Sequence, residues 1–155
     1  MSPKNNFPTV PLDEVPASQT VGRAHRPSIL VVDDESSIAD TLAEILNRSG
    51  YAARAAYDAE SALETAMLAP PEMIISDVVL PDMNGIDLAI TIRRIFPECK
   101  IILFSGQAST ADLLVAAKSN GHNFVLLNKP VHPTDLLARI SAGLKNESRM
   151  AALAH

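Results

Sequence analysis

Only one cysteine, Cys99, occurs in the 155 residues of this chain. No intrachain disulfide can form, and no cysteine-based zinc site can be built. Basic residues are also in short supply: 13 Lys and Arg stand against 18 Asp and Glu, for a net charge of −5. A chain without a basic surplus lacks the face that general nucleic-acid binding needs to neutralise phosphates. No apolar run nears the ~18–20 residues of a membrane span. Lys4 has no apolar stretch behind it that would make a secretory signal. These absences lead us to expect a soluble cytoplasmic protein with no nucleic-acid or membrane partner. What is present is enough to fold: 47% of the residues are hydrophobic and 20% charged. The length suits one domain with a short tail and is too small for two full-sized domains.

Residues 1–26 differ from the rest. Pro3, Pro8, Pro11 and Pro16 recur among Asn, Ser, Thr and single charges, and no helical or strand period survives them. A disordered N-terminal extension is expected there, a domain over 27–146, and a short C-terminal tail over 147–155.

From Pro27 onward, short apolar runs alternate with longer segments of helical spacing. Ser28-Ile29-Leu30-Val31-Val32 has no polar alternation, which suits a strand buried on both faces. It stops at Asp33-Asp34-Glu35, after which Ser36 or Ser37 can cap a helix carrying Ile38, Leu42, Ile45 and Leu46, with Gly50 at its end. Tyr51 to Tyr57 reads as a weak strand. Asp58 caps a helix with Ala62, Leu63, Ala66 and Met67, closed by Pro70-Pro71. Met73 to Ser76 is a third strand ending at Asp77, followed by a loop to Gly85. A helix with Ile86, Leu88, Ala89, Ile92 and Ile95 then runs to Pro97. Lys100 to Phe104 is a fourth strand ending at Ser105-Gly106, and Ala111 to Ser119 a fourth helix. Phe124 to Leu127 is a fifth strand ending at Asn128-Lys129-Pro130. The last helix starts near Thr134 and carries Leu136, Leu137, Ile140 and Leu144.

Five strands alternating with five helices imply right-handed βαβ units and a parallel sheet covered on both faces. The expected fold class is α/β, a flavodoxin-like doubly wound (βα)5 domain of strand order 2-1-3-4-5. In a parallel sheet all strand C-termini share one edge. Asp33, Asp34, Asp77, Ser105 and Lys129 all fall at such ends, so they should converge on one cleft although they are far apart in sequence. Three carboxylates together are costly, since two unit charges ~4 Å apart repel by about 1 kcal/mol even in water. Either their pKa values rise or a cation sits among them. A hard divalent ion such as Mg²⁺ suits oxygen donors of this kind and shares them with a phosphate oxygen. With Lys129 as an anion partner and Ser105 as a hydrogen-bond donor, the set reads as a site for a phosphoryl group. Asp77 is then a candidate nucleophile that forms an acyl phosphate.

The set Ile29-Leu30-Val31-Val32-Asp33-Asp34-Glu35, Ile75-Ser76-Asp77 with Pro81 and Gly85, Phe104-Ser105-Gly106 and Lys129-Pro130 resembles the receiver domain of two-component response regulators. The resemblance covers roughly residues 27–145. It implies that Asp77 accepts a phosphoryl group from a histidine kinase or a histidine phosphotransfer protein. It implies that Asp34, Asp77 and the Val79 carbonyl bind Mg²⁺ directly, with Asp33 acting through a metal-bound water. Lys129 would pair with the phosphoryl oxygens, Ser105 would hydrogen-bond to one of them, and the Lys129–Pro130 bond would be cis. Phosphorylation would then move the surface of the fourth helix, fifth strand and fifth helix, where an output protein or a second copy docks. The chain would assist only its own phosphorylation and dephosphorylation and is otherwise not expected to be an enzyme.

The chain departs from that family's pattern in places. The switch aromatic normally lies three residues before the lysine, and Leu126 stands there. Phe124 either substitutes for it through a shifted register or is plain packing. Ser105 replaces the commoner threonine. Val79 and Gln107 flank the site at positions that tune hydrolysis, and Val79 cannot orient a water, so slow self-dephosphorylation is expected. With only about ten residues after the last helix, a stand-alone receiver is the expectation. His25, His122, His132 and His155 show no metal-ligand spacing, and Cys99 reads as packing. Two alternatives stand beside this reading. One is a degenerate receiver used as a binding module. The other is a Mg²⁺-dependent phosphatase, although Asp33-Asp34-Glu35 lacks the D-x-D pattern such phosphatases of the haloacid dehalogenase type carry after strand one. Flavodoxin-like cofactor binding would need a Ser/Thr/Gly phosphate loop after strand one, where two aspartates stand instead.

Overall fold

The computed structural model describes residues 25–106 and 110–153. Its strands are β1 (Ser28–Val32), β2 (Ala52–Ala56), β3 (Met73–Asp77), β4 (Lys100–Ser105) and β5 (Val125–Asn128). Its helices are α1 (Ser36–Arg48), α2 (Ala59–Leu68), α3 (Gly85–Ile95), α4 (Thr110–Ser119) and α5 (Pro133–Leu153). All strand pairs are parallel and the sheet order is β2-β1-β3-β4-β5, as the alternation predicts. Among the described residues no helix is long and apolar enough to cross a membrane.

The three central strands are continuous apolar runs because both of their faces are covered. Leu30, Val32, Ile74, Ile101 and Leu103 point to one side, where they pack with residues of α2, α3 and α4 such as Ala62, Leu88, Ile92 and Ala117. Ile29, Val31, Met73, Ile75, Ile102 and Phe104 point to the other, against Ala39 and Leu46 of α1 and Leu136 and Ile140 of α5. Each fully buried Leu or Ile contributes on the order of 1.5–3 kcal/mol relative to exposure. These two half-cores therefore hold the sheet edge in place, and the short edge strands contribute less.

Several helix ends follow the sequence and several do not. The Asp58 carboxylate accepts from the Ser61 N–H at 2.7 Å and starts α2, and Asn84 accepts from the Asp87 N–H at 2.8 Å to start α3. Gly50 and Gly121, with φ of 102° and 89°, follow the ends of α1 and α4. Neither Ser36 nor Ser37 caps α1: the helix begins at Ser36, and Glu35 holds the cap position without a side-chain bond. Asp33 explains this, since its Oδ1 accepts the Glu35 N–H at 3.0 Å and fixes the turn from below. Helix α5 continues through Leu153 where a tail was expected, because Lys145 to Leu153 holds good helix formers and neither Pro nor Gly. His25 and Arg26, grouped with the extension on composition, are tied to the domain. His25 lies 3.3 Å from Glu72, and the Arg26 guanidinium donates to the carbonyls of Asn47 at 2.6 Å and Tyr51 at 2.9 Å. Residues 1–24 and Gln107 lie outside the described residues.

At the outer edge of the sheet, the Asn47 side chain accepts the Ala53 N–H at 2.7 Å and donates to its carbonyl at 3.2 Å. Cys99, just before β4, is buried, and that burial pushes its thiol up to about 12. Its place is packing, as expected. Native protein at pH 8 should therefore react with a disulfide-exchange reagent only as fast as it opens. Stoichiometric labelling within seconds, followed by absorbance, would contradict the burial.

Candidate functional site

Register builds the site. Val32 pairs with Ser76 across β1 and β3, so the next residue on each strand, Asp33 and Asp77, arrive side by side. This junction is the point where the strand order reverses, the usual place for a crevice in an open α/β sheet. Asp77 lies opposite Phe104, and Ser105 opposite Asn128, so β4 and β5 deliver Ser105 and Lys129 to the same edge. The Lys129 N–H donates to the Ser105 carbonyl at 2.9 Å, which fixes their relation. The Lys129–Pro130 bond is cis, in line with the resemblance.

Lys129 is the hub of the charges. Its Nζ donates to Asp77 Oδ2 at 2.7 Å and lies 3.5 Å from Asp33 Oδ2 and 5.5 Å from the centroid of the Phe104 ring. Burial pulls the ammonium pKa down, but the hydrogen bond and charge of Asp77, with the charge of Asp33, outweigh it and raise the pKa. The lysine therefore stays charged. Asp77 is nearly buried, and its Oδ1 accepts the Val79 N–H at 3.0 Å. Asp33 is fully buried, and its carboxyl pKa is raised, chiefly by burial. The Glu35 N–H and Lys129 oppose that rise, and the charges of Asp77 and Asp34 add to it.

Asp33, Asp34 and Asp77 each offer an oxygen, all within 4.8 Å of one another, with Asp34 exposed to solvent. One ammonium cannot balance three carboxylates. Asp33 Oδ2 is buried, and the Lys129 Nζ beside it, at 3.5 Å, is too far to make a good hydrogen bond. An all-oxygen donor set, surplus negative charge and a buried carboxylate oxygen met only by a long ion pair together fit a small hard cation such as Mg²⁺. The edge thus brings together all the residues expected there: Asp33, Asp34, Asp77, Val79, Ser105 and Lys129. Ser105 is buried at the end of β4.

Phe124 is not at this edge. It precedes β5, whose far end carries the site, and it stacks on His122 with the Arg93 guanidinium 4.4 Å from its ring centroid. The expected strand start at Phe124 is corrected to Val125. Leu126, partly buried, holds the position three before Lys129, and β5 carries no aromatic residue.

Asp82 reads in the sequence only as loop, and Gly85 only as part of the motif that carries the resemblance; the structure gives each a contact. A Cβ on Gly85 would collide with the Asp77 carbonyl oxygen and sit 2.9 Å from Val78 Cα, while its N–H donates to the Val78 carbonyl at 2.6 Å. Only glycine lets α3 start against the strand that carries Asp77. Asp82 accepts the N–H groups of Ala59 and Glu60, both at 2.9 Å, and so closes the start of α2 from the neighbouring loop. These two bonds lower its pKa, Ala59 first.

Comparison with known proteins bears on the family and the fold. The profile of the response regulator receiver domain matches residues 29–141. Over 129 residues the chain is 32% identical to the DNA-binding response regulator MtrA of Mycolicibacterium smegmatis, covering 83% of this chain and 55% of that protein. It is 32% identical over 126 residues to the DNA-binding transcriptional regulator NtrC of Azospirillum brasilense, covering 81% of this chain and 26% of that one. The chain spans about half the length of the MtrA proteins it matches and less of NtrC. Among solved structures, a CheY-like receiver domain protein from Methanospirillum hungatei superposes with a TM-score of 0.74 at 30% identity, over 81% of this chain and 99% of that one. Chemotaxis protein CheY4 of Vibrio cholerae superposes with a TM-score of 0.69 at 28% identity, over 77% of this chain and 99% of that one.

Two outcomes follow from the loop. Gly85→Ala should cost about 1–3 kcal/mol or more by overpacking against the Asp77 backbone, read as a lowered urea midpoint. An unchanged midpoint would mean that α3 can back away. Asp82→Ala should lower the melting temperature at neutral pH. Because the two N–H bonds hold the folded pKa of Asp82 below the ordinary carboxylate range, the wild-type advantage is complete above that range. It shrinks as the pH falls through the lowered pKa. A gap that persists undiminished in strong acid would assign the effect to something other than the ionised carboxylate.

Proposed function

The chain belongs to the response regulator receiver domain family, and on that premise we propose that it accepts a phosphoryl group on Asp77 from a phosphohistidine of a kinase or phosphotransfer protein. The observation that carries this is the convergence of Asp33, Asp34 and Asp77, with oxygens within 4.8 Å, on an edge where Lys129 Nζ lies 2.7 Å from Asp77.

In this reading an Asp77 carboxylate oxygen attacks phosphorus in line. The new P–O bond forms as the P–N bond breaks, and the imidazole nitrogen leaves with the electron pair and takes a proton from solvent. Lys129, kept charged by its carboxylate neighbours, is placed to pass from Asp77 Oδ2 to the new phosphoryl oxygens. Ser105, at the end of β4, supplies a hydroxyl to one of them. Asp33, Asp34, Asp77 and the Val79 carbonyl would hold Mg²⁺, which supplies charge neutralisation for the phosphoryl oxygens. The chain is not otherwise an enzyme in this proposal, and its setting is the cytoplasm.

The output reading is a population shift at the surface of α4, β5 and α5. Exposed Val115 on α4 and Val125 on β5 give that surface apolar contacts for an output protein or a second copy. With Phe124 in contact with His122 and Arg93, and Leu126 at the switch position, the shift runs from Ser105 to α4 without an aromatic rotation. The Val79 side chain is exposed beside the acceptor and has no atom to take a proton from an attacking water. The acyl phosphate should persist.

Incubation with acetyl phosphate and Mg²⁺ should add the mass of one phosphoryl group, absent in Asp77→Asn and without the metal. No adduct, together with no Mg²⁺ affinity by titration calorimetry, would leave only the binding-module alternative. The adduct should outlast minutes, and Val79→Glu should shorten its lifetime. Loss within seconds in the wild type would refute the role given to Val79.

A further inference from the structure

Helix α2 carries its bulk on the outside. Its fully buried positions are Ala59, Ala62 and Ala66, all 0% exposed, so the helix lies close to the sheet on alanines, with Leu63 partly buried at the margin of the same core. Its large apolar residues face the other way: Met67 is 61% exposed and Leu68 88%. A single exposed leucine means little, but a contiguous apolar patch on a monomer marks an interaction surface. Here the patch is contiguous. Leu63, Met67 and Leu68 line one shallow concavity with Met83, which comes from the loop after the phosphoacceptor strand. Asp82, beside Met83, bonds the first two N–H groups of α2, so loop and helix hold the concavity together.

The charges around the patch are of one sign. Glu60 and Glu64 of α2 and Asp82 of the loop rim it. The nearest basic residue in sequence, Arg54, is engaged with the Ala69 carbonyl at 2.9 Å. An acidic rim selects the occupant. A second copy meeting face to face would set Glu60 and Glu64 against the same residues. The chain's own first 24 residues set Lys4 and Arg23 against Asp13 and Glu14, so they bring no basic surplus to meet the rim. Two methionines among the lining residues give a surface that adapts to a helical ridge.

We propose that the outer face of α2, with Met83, is a docking surface for a basic amphipathic helix of a partner protein. Leucine-type side chains would seat on Leu63, Met67, Leu68 and Met83, and Lys or Arg would meet Glu60 and Glu64. This surface is separate from the α4–β5–α5 face, and its occupation does not require phosphotransfer.

The test uses the unphosphorylated full chain and two synthetic amphipathic peptides, one of Leu and Lys, the other of the same pattern with Glu for Lys. The Leu/Lys peptide should bind by fluorescence anisotropy and shift amide resonances of residues 60–68 and 82–83. Leu68→Glu and Glu64→Lys, both at exposed positions, should each weaken it by about tenfold or more, and the Leu/Glu peptide should not bind. Absence of binding overturns the proposal, as does binding that both variants leave unchanged, which would be general attraction to an acidic chain. A concentration-dependent dimer in sedimentation that Leu68→Glu abolishes would make a second copy the occupant and overturn it equally. None of these readouts depends on Asp77, so a failure here is distinct from a failure to phosphorylate.

Discussion

The pairing of Val32 with Ser76 is the constraint on which the site depends. A slip of one residue between β1 and β3 would turn every side chain of one strand to the opposite half-core and carry Asp33 away from Asp77. Because both faces of these strands are buried, the register is fixed by packing on two sides at once. The hydrophobic core thus sets the distance between two carboxylates that would otherwise repel each other apart.

That enforced proximity has an electrostatic price. Asp33 is buried with one oxygen met only by a 3.5 Å ion pair to Lys129, which answers only part of the surplus charge. Breaking a buried charged arrangement by removing one partner is more damaging than never having built it. The site is therefore held in an unfavourable electrostatic state by the fold, and a small cation among the carboxylates would relieve it. Gly85 adds a steric condition to this, since α3 begins against the backbone of Asp77 itself.

Much of this was legible in the sequence, for a physical reason. Strands buried on both faces appear as unbroken apolar runs, so β1, β3 and β4 and the polar residues that end them could be placed to within a residue. The parts that were not legible depend on distant or directional contacts. Asp82 caps a helix that begins 23 residues earlier, and no local pattern signals that. Gly85 belongs to the motif that carries the resemblance, but the reason it must be glycine appears only with the Asp77 backbone in place. In α2 the alanines take the core and Met67 faces out, the reverse of what side-chain size suggests; Ile95 of α3 is likewise 44% exposed. At β5 the apolar run begins at Phe124, but the strand begins at Val125, and Phe124 packs on the core beside Arg93 and His122. The extent of α5 followed helix propensity beyond the point where its apolar stripe ends.

The Asn47 side chain has a consequence for how this molecule can be recognised. Ala52 directs its N–H inward to Pro27, so Ala53, the next residue, turns its backbone groups outward on the free edge of β2. Asn47 occupies both of them. An incoming strand would find the ladder interrupted at its first rung, so the sheet cannot easily be extended from this side by another chain. The β2 margin is in effect hemmed, which guards an alanine-rich strand against templated aggregation. Recognition on this flank is left to side chains on helices.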